Sequence, residues 1–218
     1  MNRLSTPCLL LWAAVIAGCA ASYSPISQLD SIADAEVSNG DLRAIVGIQP
    51  LGDNSRFKDT AEESEVAILK LTVENLSPHP IMIKASDIFL EDTARGRPVS
   101  QLPTAYVAKQ MSLATATYWL WGLLWMGYTE TTNKESSSLW LPVGLPIGAI
   151  NFFRARSTNA SFEEEITQNA FPDTKLQPNE RKGGMLFFHK TSGIRFNLVV
   201  MYTDGANEKQ RIVIPWKL

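Results

Sequence analysis

Glu65-Val66-Ala67-Ile68-Leu69-Lys70-Leu71-Thr72-Val73-Glu74-Asn75 is the stretch that decides the fold. Ala67, Leu69, Leu71 and Val73 fall on one face of an extended chain, opposite Val66 and Ile68, because successive strand side chains point to opposite sides. A period of two with β-branched residues predicts a strand that buries at least one face. The next residues, Leu76-Ser77-Pro78-His79-Pro80, lose the period and carry two prolines, which predicts a turn. Ile81 and Ile83 then open another strand.

Working outward, Ala44, Val46 and Ile48 alternate along Leu42 to Leu51. Asp87 to Glu91 reads as a strand with Ile88 and Leu90 on one side, Asp92 to Pro98 as a polar turn containing Gly96, and Val99 to Leu102 as a short edge. The pattern returns near the end of the chain. Leu176-Gln177-Pro178-Asn179-Glu180 is a turn, Met185 to His189 an apolar strand, and Ile194 to Tyr202 alternates Phe196, Leu198 and Val200. Asp204-Gly205 then separates that strand from Arg211 to Leu218, where Ile212, Ile214 and Trp216 share a face, so the pair predicts a hairpin. About seven or eight short strands divided by Pro, Gly and Asn turns predict a mainly β chain folded as an antiparallel sandwich. A strand, Val-Glu-Asn, a Pro turn and a second strand, followed later by Leu-x-Pro-Asn-Glu-x-x-x-Gly into an apolar strand, is an order that resembles the immunoglobulin-like domains of bacterial surface and periplasmic lipoproteins. The resemblance covers residues 41–102 and 174–218 and lacks the paired cysteines of antibody domains.

Residues 103–173, between those halves, do not read as sandwich strands. Gln110 to Thr129 is 20 residues without a charge, and Ser136 to Phe153 a further 18, separated by Glu130-Thr131-Thr132-Asn133-Lys134-Glu135. Trp119, Trp121, Trp125 and Trp140 all lie here. Three arrangements satisfy such a stretch: burial against the protein's own body, lipid contact by a Trp-rich hairpin over residues 118–153, or contact with a protein partner. Ser112, Thr115, Thr117 and the Pro142 to Pro146 interruption speak against a pair of membrane-spanning helices. Gly144 to Gly148 reads as a turn because of Pro146. Ile147 to Ala170 then predicts a helix with Phe162, Ile166 and Ala170 inward and Glu163, Glu164 and Glu165 outward.

The first residues carry a different message. Arg3, the apolar run Leu9 to Ile16 and the small residues before a cysteine have the layout of a secretory signal. Ile16-Ala17-Gly18-Cys19 resembles the lipobox of bacterial lipoproteins. The resemblance implies cleavage between Gly18 and Cys19, a diacylglycerol on the Cys19 thiol and an acyl chain on its new amine. Two or more acyl chains hold a protein to a bilayer durably, where one is marginal. Residues 1–18 are then the signal, 19–40 a lipidated tether in which Asp30 to Glu36 could form a short helix that nothing in the pattern demands, and 41–218 the sandwich with its partly helical apolar insertion about 103–173. Ala20 and Ala21 lack the acidic residue that holds enterobacterial lipoproteins at the inner membrane. The implied location is the periplasmic face of the outer membrane, or the cell membrane in a Gram-positive source.

Composition narrows the chemistry. Cleavage leaves 200 residues with 19 Lys and Arg against 22 acids, a net charge of −3, and no basic excess to recommend nucleic acid. Cys8 departs with the signal and Cys19 is consumed by lipid, so no disulfide, thiolate nucleophile or cysteine metal site is expected. His79 sits between prolines and His189 ends a strand, both in structural or solvated settings. Asp204, Asn207 and Glu208 cluster, as a turn requires without any metal. No nucleophile elbow, phosphate-binding glycine loop or zinc-protease helix is present. The sequence therefore predicts no catalytic residue and no cofactor beyond the lipid on Cys19. It predicts a non-enzymatic module with the bilayer and an envelope protein as partners, belonging to a lipoprotein family of unknown function, and as the alternative a membrane-active or lipid-handling protein.

Overall fold

The computed structural model describes residues 23–132, 135–190 and 195–217. Its strands are β1 Ile32–Ser38, β2 Leu42–Ile48, β3 Val66–Asn75, β4 Ile81–Ile83, β5 Ile88–Asp92, β6 Pro98–Ser100, β7 Met126–Thr132, β8 Glu135–Leu141, β9 Thr174–Leu176, β10 Arg181–His189, β11 Arg195–Thr203 and β12 Lys209–Lys217. Three α-helices join them: α1 Ser55–Glu63, α2 Thr104–Gln110 and α3 Gly144–Asn169. The chain is mainly β, and every strand pairing among the described residues is antiparallel. It divides into two compact units, Ser24–Ser112 with Phe162–Leu218, and Leu113–Ser161 with Tyr23.

The larger unit holds two sheets. One runs β1-β2-β3-β10; the other runs β6-β5-β11-β4-β9, with β12 also paired to β11. One core joins them. Leu42, Ala44 and Val46 of β2, Leu69, Leu71 and Val73 of β3, and Leu186 and Phe188 of β10 come from the first sheet. Ile88 and Leu90 of β5, Leu198 and Val200 of β11, and Ile212, Ile214 and Trp216 of β12 come from the second. The strand that decides the fold lies inside its sheet, between β2 and β10. Both of its faces are buried near its start, since Val66 and Ile68 lie on the side where α1 packs with Phe57 and Ala61. Phe57 stacks on Phe162 at 4.5 Å between ring centroids. The short edge read at Val99 is β6, the last strand of its sheet, and the final hairpin pairs β11 with β12 over nine residues of each.

Two differences from the sequence reading concern the first forty residues. Within Asp30 to Glu36, a stretch open to a short helix, Ile32 to Glu36 belongs to β1, which pairs with β2 from Ile32↔Ile48 to Ser38↔Arg43. A short helix is marginal without packing, whereas β2 offers a row of ladder hydrogen bonds, and Ala35 and Val37 gain contact with the core. Residues 24–40, expected as part of a tether, are also held against the fold. From Ser24 the chain is docked: Ser24 N–H donates to Asn54 Oδ1 at 3.0 Å, and Asn54 Nδ2 donates back to the Ser24 carbonyl at 2.8 Å. Ile26 is fully buried, its carbonyl accepting from Gln49 Nε2 at 2.7 Å. Glu165 accepts from the N–H groups of Ile26 at 3.1 Å and Ser27 at 2.7 Å. Glu165 therefore does not turn outward with Glu163 and Glu164. It is buried and satisfies backbone donors that no strand partner takes.

In the smaller unit, a 3-10 segment Ala116–Leu123 leads into a hairpin of β7 and β8, with Met126 opposite Leu141 and Thr132 opposite Glu135. α3 starts at Gly144, so Pro146 lies within its first turn and not in a separate turn before it. The first-turn N–H groups have no intrahelical partner, so a proline there removes nothing. Asn159 ties the start of the unit to α3, its Oδ1 accepting from Leu113 N–H at 2.8 Å and its Nδ2 donating to the Leu113 carbonyl at 3.0 Å. The insertion expected over 103–173 is thus divided: α2 and the chain from Phe162 belong to the larger unit.

Candidate functional site

The smaller unit is where the apolar surface lies. Fifteen large apolar side chains are exposed among the described residues, and ten of them fall between Leu120 and Phe153. Leu123 is 74% exposed, Phe153 64%, Trp140 63% and Trp125 57%, with Leu120, Leu124, Met126, Leu141, Leu145 and Ile150 beside them in sequence or register. Monomeric proteins rarely leave such residues concentrated in one place without a use for them.

Local structure explains why these side chains face out. In β7 and β8, Gly127 stands opposite Trp140, and a Cβ built on Gly127 would lie 3.1 Å from the indole. The missing side chain lets the ring lie across the neighbouring strand. The hairpin is graded along its length: Met126, Trp140 and Leu141 occupy one end, while Thr129, Glu130, Thr131, Thr132, Glu135, Ser136, Ser137 and Ser138 occupy the other. Along α3, Gly144, Gly148, Asn151, Ala155 and Thr158 are buried at helical spacing. At 100° per residue the opposite side carries Ile150 and Phe153, with Arg154 on one flank and Arg156 on the other and Leu145 just outside Arg156, and all five are exposed.

Of the four tryptophans expected to make contact, Trp125 and Trp140 are exposed here. Trp119 and Trp121 have their backbones in the 3-10 segment, and their side chains lie outside the described residues. Ile16, Ala17, Gly18 and Cys19 also lie outside them. The sequence did not single out Leu123, Phe153, Arg154 and Arg156. The run before Phe153 was recognised as uncharged, but which of its residues face solvent depends on the helix phase, which Pro146 obscured.

Groups with catalytic potential are scattered. His79 is exposed in the turn after β3, where its carbonyl accepts from Asn75 Nδ2 and Ser77 Oγ. His189 is exposed at the end of β10 and meets the edge of Tyr106. Asp204 is occupied by its own turn, Oδ1 accepting from Ala206 N–H and Glu208 N–H at 2.9 Å each. No group of three or more metal-ligating side chains occurs among the described residues. A cavity of about 370 Å³ lies beside α1, lined by Ile48, Leu51, Ala61 and Ile68 with Lys58 and Lys190. No described helix is long and apolar enough to cross a membrane.

Two groups are shifted electrostatically. Arg43 pairs with Glu36 at 2.6 Å and with Glu74 at 3.5 Å, and its guanidinium is held further in the charged form by the Glu36 hydrogen bond and charge. Burial pushes the Tyr202 phenol above its ordinary value, helped by Asp41 and Asp204 and opposed by the hydrogen bond from Asn39. Neither lies in the apolar surface.

No family model and no curated protein matches this chain. Among solved structures, Northeast Structural Genomics Consortium target SoR45 aligns with 86% of this chain and 78% of its own at 8% identity, with a TM-score of 0.27. A likeness at that level carries no argument about fold or function.

Proposed function

We propose that the protein is an acylated bacterial lipoprotein, with an immunoglobulin-like sandwich as scaffold, that acts as a non-enzymatic interaction module at the periplasmic face of the outer membrane. The lipid on Cys19 localises it and the Leu113–Ser161 unit is its working surface. One observation carries the reading: ten of the fifteen exposed large apolar side chains belong to that unit. Water-exposed apolar area of this kind is unfavourable by about 25 cal/mol per Å², so a covering surface is the expected function.

The test has two parts in intact cells. Cys19→Ala is expected to abolish palmitate labelling and membrane retention; labelling that survives removes the lipoprotein half of the reading. A photo-reactive phenylalanine analogue at Leu123 is expected to capture a specific lipid or protein product that the same group at Met82, exposed on β4, does not. Equal capture at both positions removes the working surface.

A further inference from the structure

We infer that the apolar face of the Leu113–Ser161 unit seats on the headgroup layer of a bilayer containing anionic phospholipid, with Arg154 and Arg156 paired to phosphates. This rests on the proposed acylation of Cys19 and names the occupant of the surface.

The first argument is the leash. Ser24 is pinned by both hydrogen bonds to Asn54, and Ile26 and Ser27 by Glu165. Only Ala20, Ala21, Ser22 and Tyr23 separate Cys19 from Ser24. At roughly 3.3–3.6 Å per residue, the first docked residue lies within about 18 Å of the acylated cysteine. A protein held so closely stays within reach of the headgroups, whereas a tether running to residue 40 would leave it free to stand off.

The second argument is chemical. Phe153 projects between Arg154 and Arg156 on the exposed side of α3, and Ile150 shares that side. An apolar stripe bordered by basic residues is the pattern of a helix that lies in an interface, with chains in the acyl boundary and guanidinium groups on phosphate. Trp125 and Trp140 add indoles, whose apolar body and polar N–H suit the same depth. The nearby acids are set apart from this contact: Glu130 and Glu135 are placed at the far end of the hairpin from Met126 and Leu141, and the exposed Glu163 and Glu164 of α3 follow Phe153 by about 15 Å or more along the helix. That polar end also argues against a hairpin plunging tip-first; the apolar end and α3 supply the contact.

The test uses the full-length protein after its own maturation, isolated with its acyl chains and reconstituted into vesicles. Phe153→Cys provides a single thiol for an environment-sensitive nitrobenzoxadiazole, because Cys8 is removed and Cys19 is blocked, and Met82→Cys is the control. In phosphatidylglycerol-containing vesicles the label at 153 is expected to shift to the blue and to be quenched by shallow spin-labelled lipid, with the label at 82 unchanged. Adding Arg154→Gln and Arg156→Gln is expected to lower the docked-to-free ratio about fivefold per arginine there, and to change little in pure phosphatidylcholine. A label at 153 that stays water-like in both vesicles overturns the bilayer as occupant. A label that is dry in both and indifferent to the arginines overturns the phosphate pairing. A blue shift already present in detergent, growing with protein concentration, assigns the surface to a second copy instead. Mass spectrometry of the same sample reads acylation separately, so failure of the lipoprotein reading is distinguishable from failure of this one.

Discussion

Removing the Glu165 carboxylate should release the beginning of the folded chain. Ile26 N–H and Ser27 N–H both donate to it, from a part of the sequence nearly 140 residues away. Glu165→Ala leaves two backbone donors without their acceptor, at about 1–3 kcal/mol each when burial is retained. Deleting the buried charge recovers part of that through lost desolvation, so the net cost is about 2–4 kcal/mol. For a domain of this size each kcal/mol lowers Tm by about 2–4 °C, which places the expected fall at about 4–16 °C. Glu165→Gln keeps one acceptor and turns an N–H toward the other donor, so it should fall between wild type and alanine. Hydrogen exchange read by NMR localises the effect: Ile26 and Ser27 amides should exchange faster while those of β3 keep their order. A Glu165→Ala protein that melts within about a degree of wild type, with Ile26 and Ser27 still protected, would refute the docking of this segment and the short leash built on it.

Gly184 lies against Phe171, and a Cβ there would stand 2.4 Å from Phe171 Cα and 2.8 Å from its N. Because the obstacle is backbone, Gly184→Ala should cost about 1–3 kcal/mol as overpacking, read by chemical denaturation; an unchanged midpoint contradicts the close approach. Tyr202, whose phenol is held above its ordinary value near 10, contributes stability that is fully present below that value and lost as pH rises through the higher folded one. Tyr202→Phe should flatten this alkaline loss and cost about 1 kcal/mol near neutrality for the Asn39 hydrogen bond. An alkaline limb identical in the variant assigns the loss to other groups.

The strands were legible where one face is buried and the other is not. β3, β5, β11 and β12 show their period directly, since each must present alternate residues to the same core. β1 was not, because Ala33, Asp34, Ala35 and Glu36 suit a helix as well as a strand, and the free edge of β2 decided the matter. The docking of Ser24–Ser27 left no local signal, since its partners are side chains of Asn54, Gln49 and Glu165 brought in by the fold. Glu165 did carry a signal. Glu165 stands three residues after Phe162 and one before Ile166, which puts it nearer the buried side than Glu163 or Glu164. The site was half legible: the uncharged stretches with their tryptophans marked the unit, while the exposed pair Ile150 and Phe153 between arginines needed the phase of α3 and its start at Gly144.

The most direct test of the working surface is hydroxyl-radical footprinting of the acylated protein in isolated envelopes and of residues 20–218, expressed without signal or lipid and purified in detergent-free buffer. Trp125, Trp140 and Phe153 should be protected in the envelope and reactive when purified, while Tyr106 and Met82, also exposed, should react alike in both. Equal reactivity of Trp125, Trp140 and Phe153 in the two states would contradict the account, because nothing would then cover the surface where the protein is proposed to work.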